Sequence, residues 1–335
     1  MKKLCFVVHR YFPYQGGSEV FTLAMAEECV RRGHDVTVLT GEAEFGVRNG
    51  VKVTFDFGIL QDQYFDLVIV HGADVHVQNV VLEAASRFKS PVLYLIILPS
   101  ESRIAMYGLE NSKFIGCSTQ ADFNHATKHG YQNKIVSVRH SIPDRFEDVL
   151  GEPGIFKKIM KIETPYMFLS AGGFWPHKGM DELAEAFESC NRDDVTLVLT
   201  GYQNPEFVPP ERKNVRSFIC EDRRDVLNAM ADADLYIMNS TQEGFGLVLL
   251  EAMANKTPWI SRHIAGAVEL KAYGYTYHSK EELKYILKRF PDDLPYMSNF
   301  HDDRVLEIGH NYVKDCRQIG NTVDDIEAVL KKCTP

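Results

Sequence analysis

"YMFLSAGGFWPHKGMDELAEAFESCNRDDVTLVLTG", residues 166–201, reads as an apolar strand, a glycine-containing loop, an amphipathic helix and a second strand. The same order, with the same Leu-Thr-Gly ending, stands near the N-terminus in "LCFVVHRYFPYQGGSEVFTLAMAEECVRRGHDVTVLTG", residues 4–41. Each copy is a βαβ unit, and βαβ units build parallel sheets covered by helices.

Working outward from these copies, "FDLVIVHG" (65–72), "SPVLYLIIL" (90–98), "SKFIGCS" (112–118) and "NKIVSVR" (133–139) read as further buried strands of a first half. "NVRSFIC" (214–220), "ADLYIMN" (233–239) and "KTPWISR" (256–262) do the same for a second half, with a helix expected over 222–233. The joint is expected in "IPDRFEDVLGEPG" (142–154), which is polar and punctuated by Pro and Gly. The fold class is therefore α/β, with doubly wound domains over 1–150 and 151–317. Facing one another, two such domains would bind ligands at the carboxyl ends of their strands, in the cleft between them.

Composition agrees with a globular protein: 335 residues, 45% hydrophobic and 25% charged. The longest apolar run, "VLYLIIL" (92–98), is strand-sized, so no transmembrane segment is expected. The N-terminus begins like a leader peptide, but His9 and Arg10 interrupt its apolar stretch and no small-residue cleavage site follows. Seven cysteines without CxxC spacing fit reduced thiols, which points to the cytoplasm. Residues 1–150 carry 15 Lys and Arg against 17 Asp and Glu, and residues 151–335 carry 22 against 29. Neither half is basic, so nucleic acid is not an expected partner. Oligomeric state is not encoded in any of these features.

Chemistry concentrates in "STQEGFGLVLLEAMANKTPW", residues 240–259. Glu243 follows a strand and stands beside Gly244, Phe245 and Gly246, where missing side chains let a ligand approach the backbone. A helix starting near Leu247 offers free amides to an anion. Glu251 lies more than one turn inside it, among apolar neighbours, and neither Leu247 nor Asn255 at i−4 and i+4 can neutralise it. A buried carboxylate needs partners or a proton, and the paired hydroxyls of a ribose would suit it. The alternative is a Glu251 turned to water and a Glu243 that is an ordinary loop residue.

"EGFGLVLLEAMA" (243–254) resembles the Glu-x7-Glu signature of the retaining glycosyltransferases of GT-B fold, in particular glycosyltransferase family 4, the group 1 enzymes. "GGSE" (16–19), "HKG" (177–179) and "AGAVE" (265–269) resemble further motifs of that family, and the likeness is weakest over 45–65 and beyond about 275. The resemblance implies two Rossmann-like domains facing across a cleft: an acceptor-side domain over 1–150 and a donor domain over 151–317. A C-terminal helix, about 318–335, would cross back onto the first domain. It implies that Glu251 holds the ribose of a nucleoside diphosphate sugar, UDP- or GDP-linked. Glu243 with Gly244, Phe245 and Gly246 would hold the transferred hexose, and the amides of Leu247 and Val248 the diphosphate. Base contacts are expected around residues 218–220. Transfer to an acceptor hydroxyl would proceed by front-face displacement, with no cofactor and no metal.

Lys178 precedes the helix "GMDELAEAF", where a cation is unfavourable unless an anion lies between it and the helix terminus. A diphosphate leaving group is such an anion, which would make Lys178 and Glu243 the catalytic pair; a solvated surface lysine is the alternative. Gly16 and Gly17 open a helix with Ser18 near its cap, letting backbone approach donor or acceptor, or simply making a tight turn. They form no GxGxxG fingerprint, so a nicotinamide cofactor is unsupported. "DAD" (232–234) resembles a metal-binding Asp-x-Asp but sits at a helix-to-strand junction, where a structural reading is preferred. His71, ending a strand, and His140, in place of a family Asn, are acceptor-side candidates, or satisfied structural histidines. Two family residues are missing: Gly173 stands where an Arg is common, and "PSES" (99–102) follows a strand where a His is common. These gaps motivate a second reading, a nucleotide-sugar-binding protein with impaired transfer; a third, from another enzyme class, is a GT-B sugar-nucleotide epimerase, since fold similarity alone leaves the chemistry open.

Overall fold

The computed structural model describes every residue except 15, 72–89, 144, 203–211, 221, 292, 293, 295–299, 334 and 335. The chain forms two compact units, Met1–Asp144 with Arg317–Pro335, and Arg145–Cys316. The division thus falls inside the polar 142–154 stretch.

In the first unit, β1 (Lys3–Val7) leads through α1 (Gly17–Arg31) to β2 (Asp35–Leu39), the expected first βαβ unit. A short hairpin follows, β3 (Gly46–Arg48) and β4 (Val51–Thr54), turned by Asn49 and Gly50, both at positive φ. Then come α2 (Ile59–Asp62), β5 (Leu67–His71), β6 (Val92–Leu95), α3 (Arg103–Asn111), β7 (Phe114–Cys117), α4 (Gln120–Lys128) and β8 (Ile135–Ser137). The sheet order is β3-β4-β2-β1-β5-β6-β7-β8, and only the β3–β4 pair is antiparallel. β1, β5 and β6 are buried almost throughout, as strands covered by helices on both faces must be. The C-terminal helix, Ile319–Cys333, belongs to this unit: Arg32 bonds Asp324 at 2.7 Å, and Thr322 Oγ1 donates to the Arg139 carbonyl at 2.9 Å.

In the second unit the polar joint is itself ordered. Phe146–Val149 forms a 3-10 turn and α5 (Ile155–Ile159) follows. β9 (Tyr166–Ala171), α6 (Met180–Glu188) and β10 (Val195–Gly201) make the second βαβ unit. The remainder is β11 (Val215–Ile219), α7 (Arg223–Asp232), β12 (Leu235–Met238), α8 (Leu247–Ala254), β13 (Trp259–Arg262), α9 (Ala265–Glu269), β14 (Tyr275–Tyr277), α10 (Lys280–Arg289) and α11 (Asp303–Cys316). Its sheet is wholly parallel, in the order β11-β10-β9-β12-β13-β14. Asn255, just past α8, holds the joint: its Nδ2 donates to the Val149 carbonyl at 2.8 Å and its Oδ1 accepts from Gly151 N at 2.7 Å. Those bonds draw residues 145–154 into the second unit. Among the described residues, no helix is long and apolar enough to cross a membrane.

Candidate active site

Strand order in the second sheet reverses direction between β9 and β12, and a doubly wound sheet binds its ligand beside such a reversal. Two loops leave the sheet there, 172–179 after β9 and 239–246 after β12. Backbone and amide bonds tie them together: Thr241 N donates to the His177 carbonyl at 2.7 Å, and Asn239 Nδ2 to the Gly179 carbonyl at 2.7 Å. Gly179 sits at φ +64°, and a Cβ there would lie 2.6 Å from the Asn239 carbonyl oxygen, so this contact needs glycine. Lys178 ends the 3-10 turn Pro176–Lys178, and its ammonium group meets the Glu243 carboxylate in a short ion pair. Ser240 Oγ donates to the same Glu243 oxygen at 2.8 Å. Both predicted catalytic side chains are therefore in one constellation, 22% and 16% exposed.

Gly246, at φ +82°, precedes α8 without any side-chain cap, which leaves the first amides of that helix, those of Leu247 and Val248 among them, unclaimed by a capping side chain. Phe245 is buried, and Gly266 of α9 packs so closely on its carbonyl that a Cβ would come within 1.7 Å. The Gly244–Gly246 loop is thus clamped from behind by α9. Glu251 is 8% exposed, as its apolar neighbours require.

Its charge has a partner that the helix positions i−4 and i+4 did not reveal. Arg223 Nη2 donates to Glu251 Oε1 at 2.7 Å. Arg223 is the first residue of α7, where Asp222 caps the helix by accepting from Arg224 N at 2.8 Å. Beside this pair lies Tyr202, whose phenol is pushed up to about 12, by burial first and by Cys220 and Glu251 against Arg223. The pair does not wait on a ligand for neutrality, which corrects the expectation that Glu251 lacks a protein partner.

Gly173 also finds a local reason. A Cβ there would meet the Trp175 indole at 2.6 Å, so the ring occupies the space that a longer side chain at 173 would need. The carboxylates of "DAD" serve the fold: Asp232 accepts from Gly154 N and from Lys157 N, and Asp234 accepts from Met167 N at 2.8 Å. Of the residues expected near the base, Phe218 stacks edge-on against Phe156 with centroids 5.8 Å apart, and Cys220 is buried.

In the first unit, the strand order reverses between β1 and β5, and the predicted acceptor-side residues flank that point. Gly16, not Ser18, is the N-cap of α1, and no side chain caps it. Ser18 Oγ instead donates to Glu19 Oε2 at 2.8 Å, and Glu19 is paired with Arg10 at 3.6 Å. Gly17 is the first residue of α1, with nothing within 4 Å of the place a Cβ would take. His71 ends β5, buried, with Nδ1 2.8 Å from Thr22 Oγ1. That hydroxyl donates to the Ser18 carbonyl at 2.8 Å, so it must accept from His71 Nδ1–H, which leaves Nε2 as the basic nitrogen. Burial pulls the His71 pKa down to about 4. His140 lies 6.3 Å from the His71 ring and stacks on Phe21 at 5.0 Å. Burial, then His71 and Arg317, lower its pKa as well.

Arg223, Tyr202, Ser240 and Thr22 were not singled out from the sequence. Only Arg223 had a signal: two arginines open the 222–233 helix, where cations oppose the helix dipole, as Lys178 does before α6.

Residues 152–282 match the family described as glycosyl transferases group 1. Over 308 residues the chain is 23% identical to the N-acetyl-alpha-D-glucosaminyl L-malate synthase of Bacillus anthracis, spanning 79% of this chain and 80% of that protein. Its structure is similar to that of Anabaena HepE in complex with UDP-glucose, with a TM-score of 0.78 at 16% identity over 99% of this chain and 100% of that one. Sucrose-phosphate synthase from Thermosynechococcus elongatus matches with a TM-score of 0.75 at 13% identity, over 99% of both chains. The second unit thus carries the match to the group 1 glycosyltransferases, and the chain as a whole has the GT-B fold of the glycosyltransferases it resembles.

Proposed function

We propose that the protein is a retaining glycosyltransferase that moves a hexose from a UDP- or GDP-linked sugar to an acceptor hydroxyl, without a metal ion. The observation that carries this reading is the pairing of Lys178 with Glu243 at the strand-order reversal, next to the uncapped start of α8. A diphosphate would draw the Lys178 ammonium and the Leu247 and Val248 amides, freeing Glu243 to accept from sugar hydroxyls. Arg223 engages Oε1 of Glu251, and Oε2 would accept from a ribose hydroxyl.

In the proposed step, the bond from the anomeric carbon to the leaving phosphate oxygen breaks. The bond from that carbon to the acceptor oxygen forms on the same face. The acceptor's proton passes to the departing phosphate, so no protein nucleophile is needed. The protein supplies position and charge stabilisation. Gly17 is a proposed donor contact, Gly16, His71 and His140 are the proposed acceptor-side groups, and the acceptor is a carbohydrate or another hydroxyl-bearing molecule. Seven free cysteines support a reducing, cytoplasmic place of action.

Thermal unfolding with UDP-, GDP-, ADP- and dTDP-sugars, with NAD as control, tests the donor site. A true donor at 100 times its dissociation constant adds about 2.7 kcal/mol of stability, and Glu251→Ala abolishes the gain. Stabilisation by none of the nucleotide sugars, or by NAD alone, would overturn the assignment. Product analysis with the donor so identified separates transfer from epimerisation, since only transfer consumes an acceptor.

A further inference from the structure

A second cluster, in the first unit, answers to different chemistry. Glu101 lies between β6 and α3, His125 is on α4, and His129 caps the end of that helix. One ligand atom from each of the three lies within 4.8 Å of the others. His129 Nε2 is 3.2 Å from Glu101 Oε1 and 3.1 Å from Oε2. The two imidazoles stand edge to face, 4.9 Å between centroids, because positions i and i+4 share one face of a helix.

The most telling atom is His125 Nε2, which is buried and has no hydrogen-bond partner. The Ser100 backbone is a polar neighbour of the same ring. A polar partner of this kind orients a metal-binding histidine and leaves its other nitrogen as a lone pair. An orphaned buried nitrogen costs about 1–3 kcal/mol unless something else occupies it. The residues that share its cluster are a carboxylate, Glu101, and a second imidazole, His129.

We propose that Glu101, His125 and His129 bind a divalent transition-metal ion of the zinc class through one carboxylate oxygen and the two Nε2 atoms. Two imidazoles with one carboxylate suit such an ion and not the oxygen-seeking Mg2+ or Ca2+. Three protein ligands leave a position for water. Bonds of about 2.0–2.1 Å to a tetrahedral ion place ligand atoms about 3.3 Å apart, so the cluster must tighten slightly on binding. Side-chain rotation supplies this, since the Glu101 side chain is 59% exposed. Lys128, whose Nζ lies 2.7 Å from Glu101 Oε1, is the cation that the metal displaces into water. The bound ion fastens the 96–102 segment, which leaves the carboxyl end of β6, to α4. It takes no part in the transfer step proposed above.

The test uses the full chain without a histidine tag, titrated calorimetrically with Ni2+, an ion that imidazole ligands suit; Co2+ absorption then reports the ligand set. The wild type is expected to bind one ion, with visible bands of four-coordinate Co2+ and a raised unfolding temperature. The double variant His125→Ala with His129→Ala should bind at least 100-fold more weakly and lose the temperature shift. Glu101→Gln should weaken binding tenfold or more, and Lys128→Met should tighten it several-fold by removing the competing ammonium. Glu101 and Lys128 are exposed, so these two variants keep the test decisive if the double variant fails to fold. Equal binding by wild type and variants would place the ion elsewhere and overturn the proposal. No binding by either wild type or Lys128→Met would also overturn it.

Discussion

Arg223 and Glu251 are 28 positions apart in sequence and on different helices, yet each determines what the other can be. Breaking a buried ion pair by removing one partner costs about 3–5 kcal/mol, and the 27% exposure of the Arg223 side chain reduces this. Arg223→Met is expected to destabilise the second unit by about 2 kcal/mol, and Glu251→Gln added to it should recover most of the loss. Urea unfolding of the two single variants and the double variant measures this coupling, and additive losses would mean the pair carries no such weight. Lys178 answers to a kinetic test. Lys178→Met should lower kcat by about 10²–10³-fold, the loss expected when one group stabilising a developing charge is removed. A change in KM alone would leave Lys178 a binding residue. The carboxylate at 251 was legible from its apolar neighbours, whereas its arginine was not. Helical periodicity reports contacts within a helix, and this contact crosses from one helix to another.

Elements were more legible than residues, because the βαβ echo and the run of apolar strands depend only on period and punctuation. The strands came out shorter than their apolar runs: 90–98 contains only Val92–Leu95, since a run continues as long as burial does, and pairing stops earlier. The β3–β4 hairpin was missed although Asn49-Gly50 is a strong hairpin signal, because its flanking strands are only three and four residues long. Glycines separate structural need from open space at this scale. A Cβ on Gly201, which ends β10, would come within 1.2 Å of the Gly172 carbonyl oxygen, so Gly201→Ala is expected to lose the soluble, folded second unit. Gly17→Ala should instead stabilise the protein, by about 0.5–1 kcal/mol, since it lies in a helix with nothing near its missing side chain. The two thermal unfolding curves check both directions. A weakened donor or acceptor KM in the more stable Gly17→Ala would mark that position as room kept for a ligand.

For the whole molecule, the two units should answer differently to acid, and His71 is the reason. Its pKa of about 4 lies below the ordinary 6.5, so the unfolded chain takes up a proton more readily than the folded one. The stability contributed by neutral His71 is complete above about pH 6.5, shrinks as pH falls, and is gone below about pH 4. The loss reaches about 2 kcal/mol at pH 5 and about 3 kcal/mol below pH 4. His140, with its pKa lowered too, acts in the same direction and in the same unit. Both tryptophans, Trp175 and Trp259, belong to the second unit, so their fluorescence reports that unit, while far-ultraviolet circular dichroism reports helices and strands of both. Between pH 7 and 5 the dichroism-detected unfolding midpoint should therefore fall ahead of the fluorescence-detected one. His71→Asn keeps an amide donor for Thr22 and cannot titrate. It should remove about 2 kcal/mol of the acid sensitivity of the first unit while leaving the fluorescence curve in place. If the variant and the wild type lose stability in parallel, the acid-sensitive group of the first unit lies elsewhere than His71.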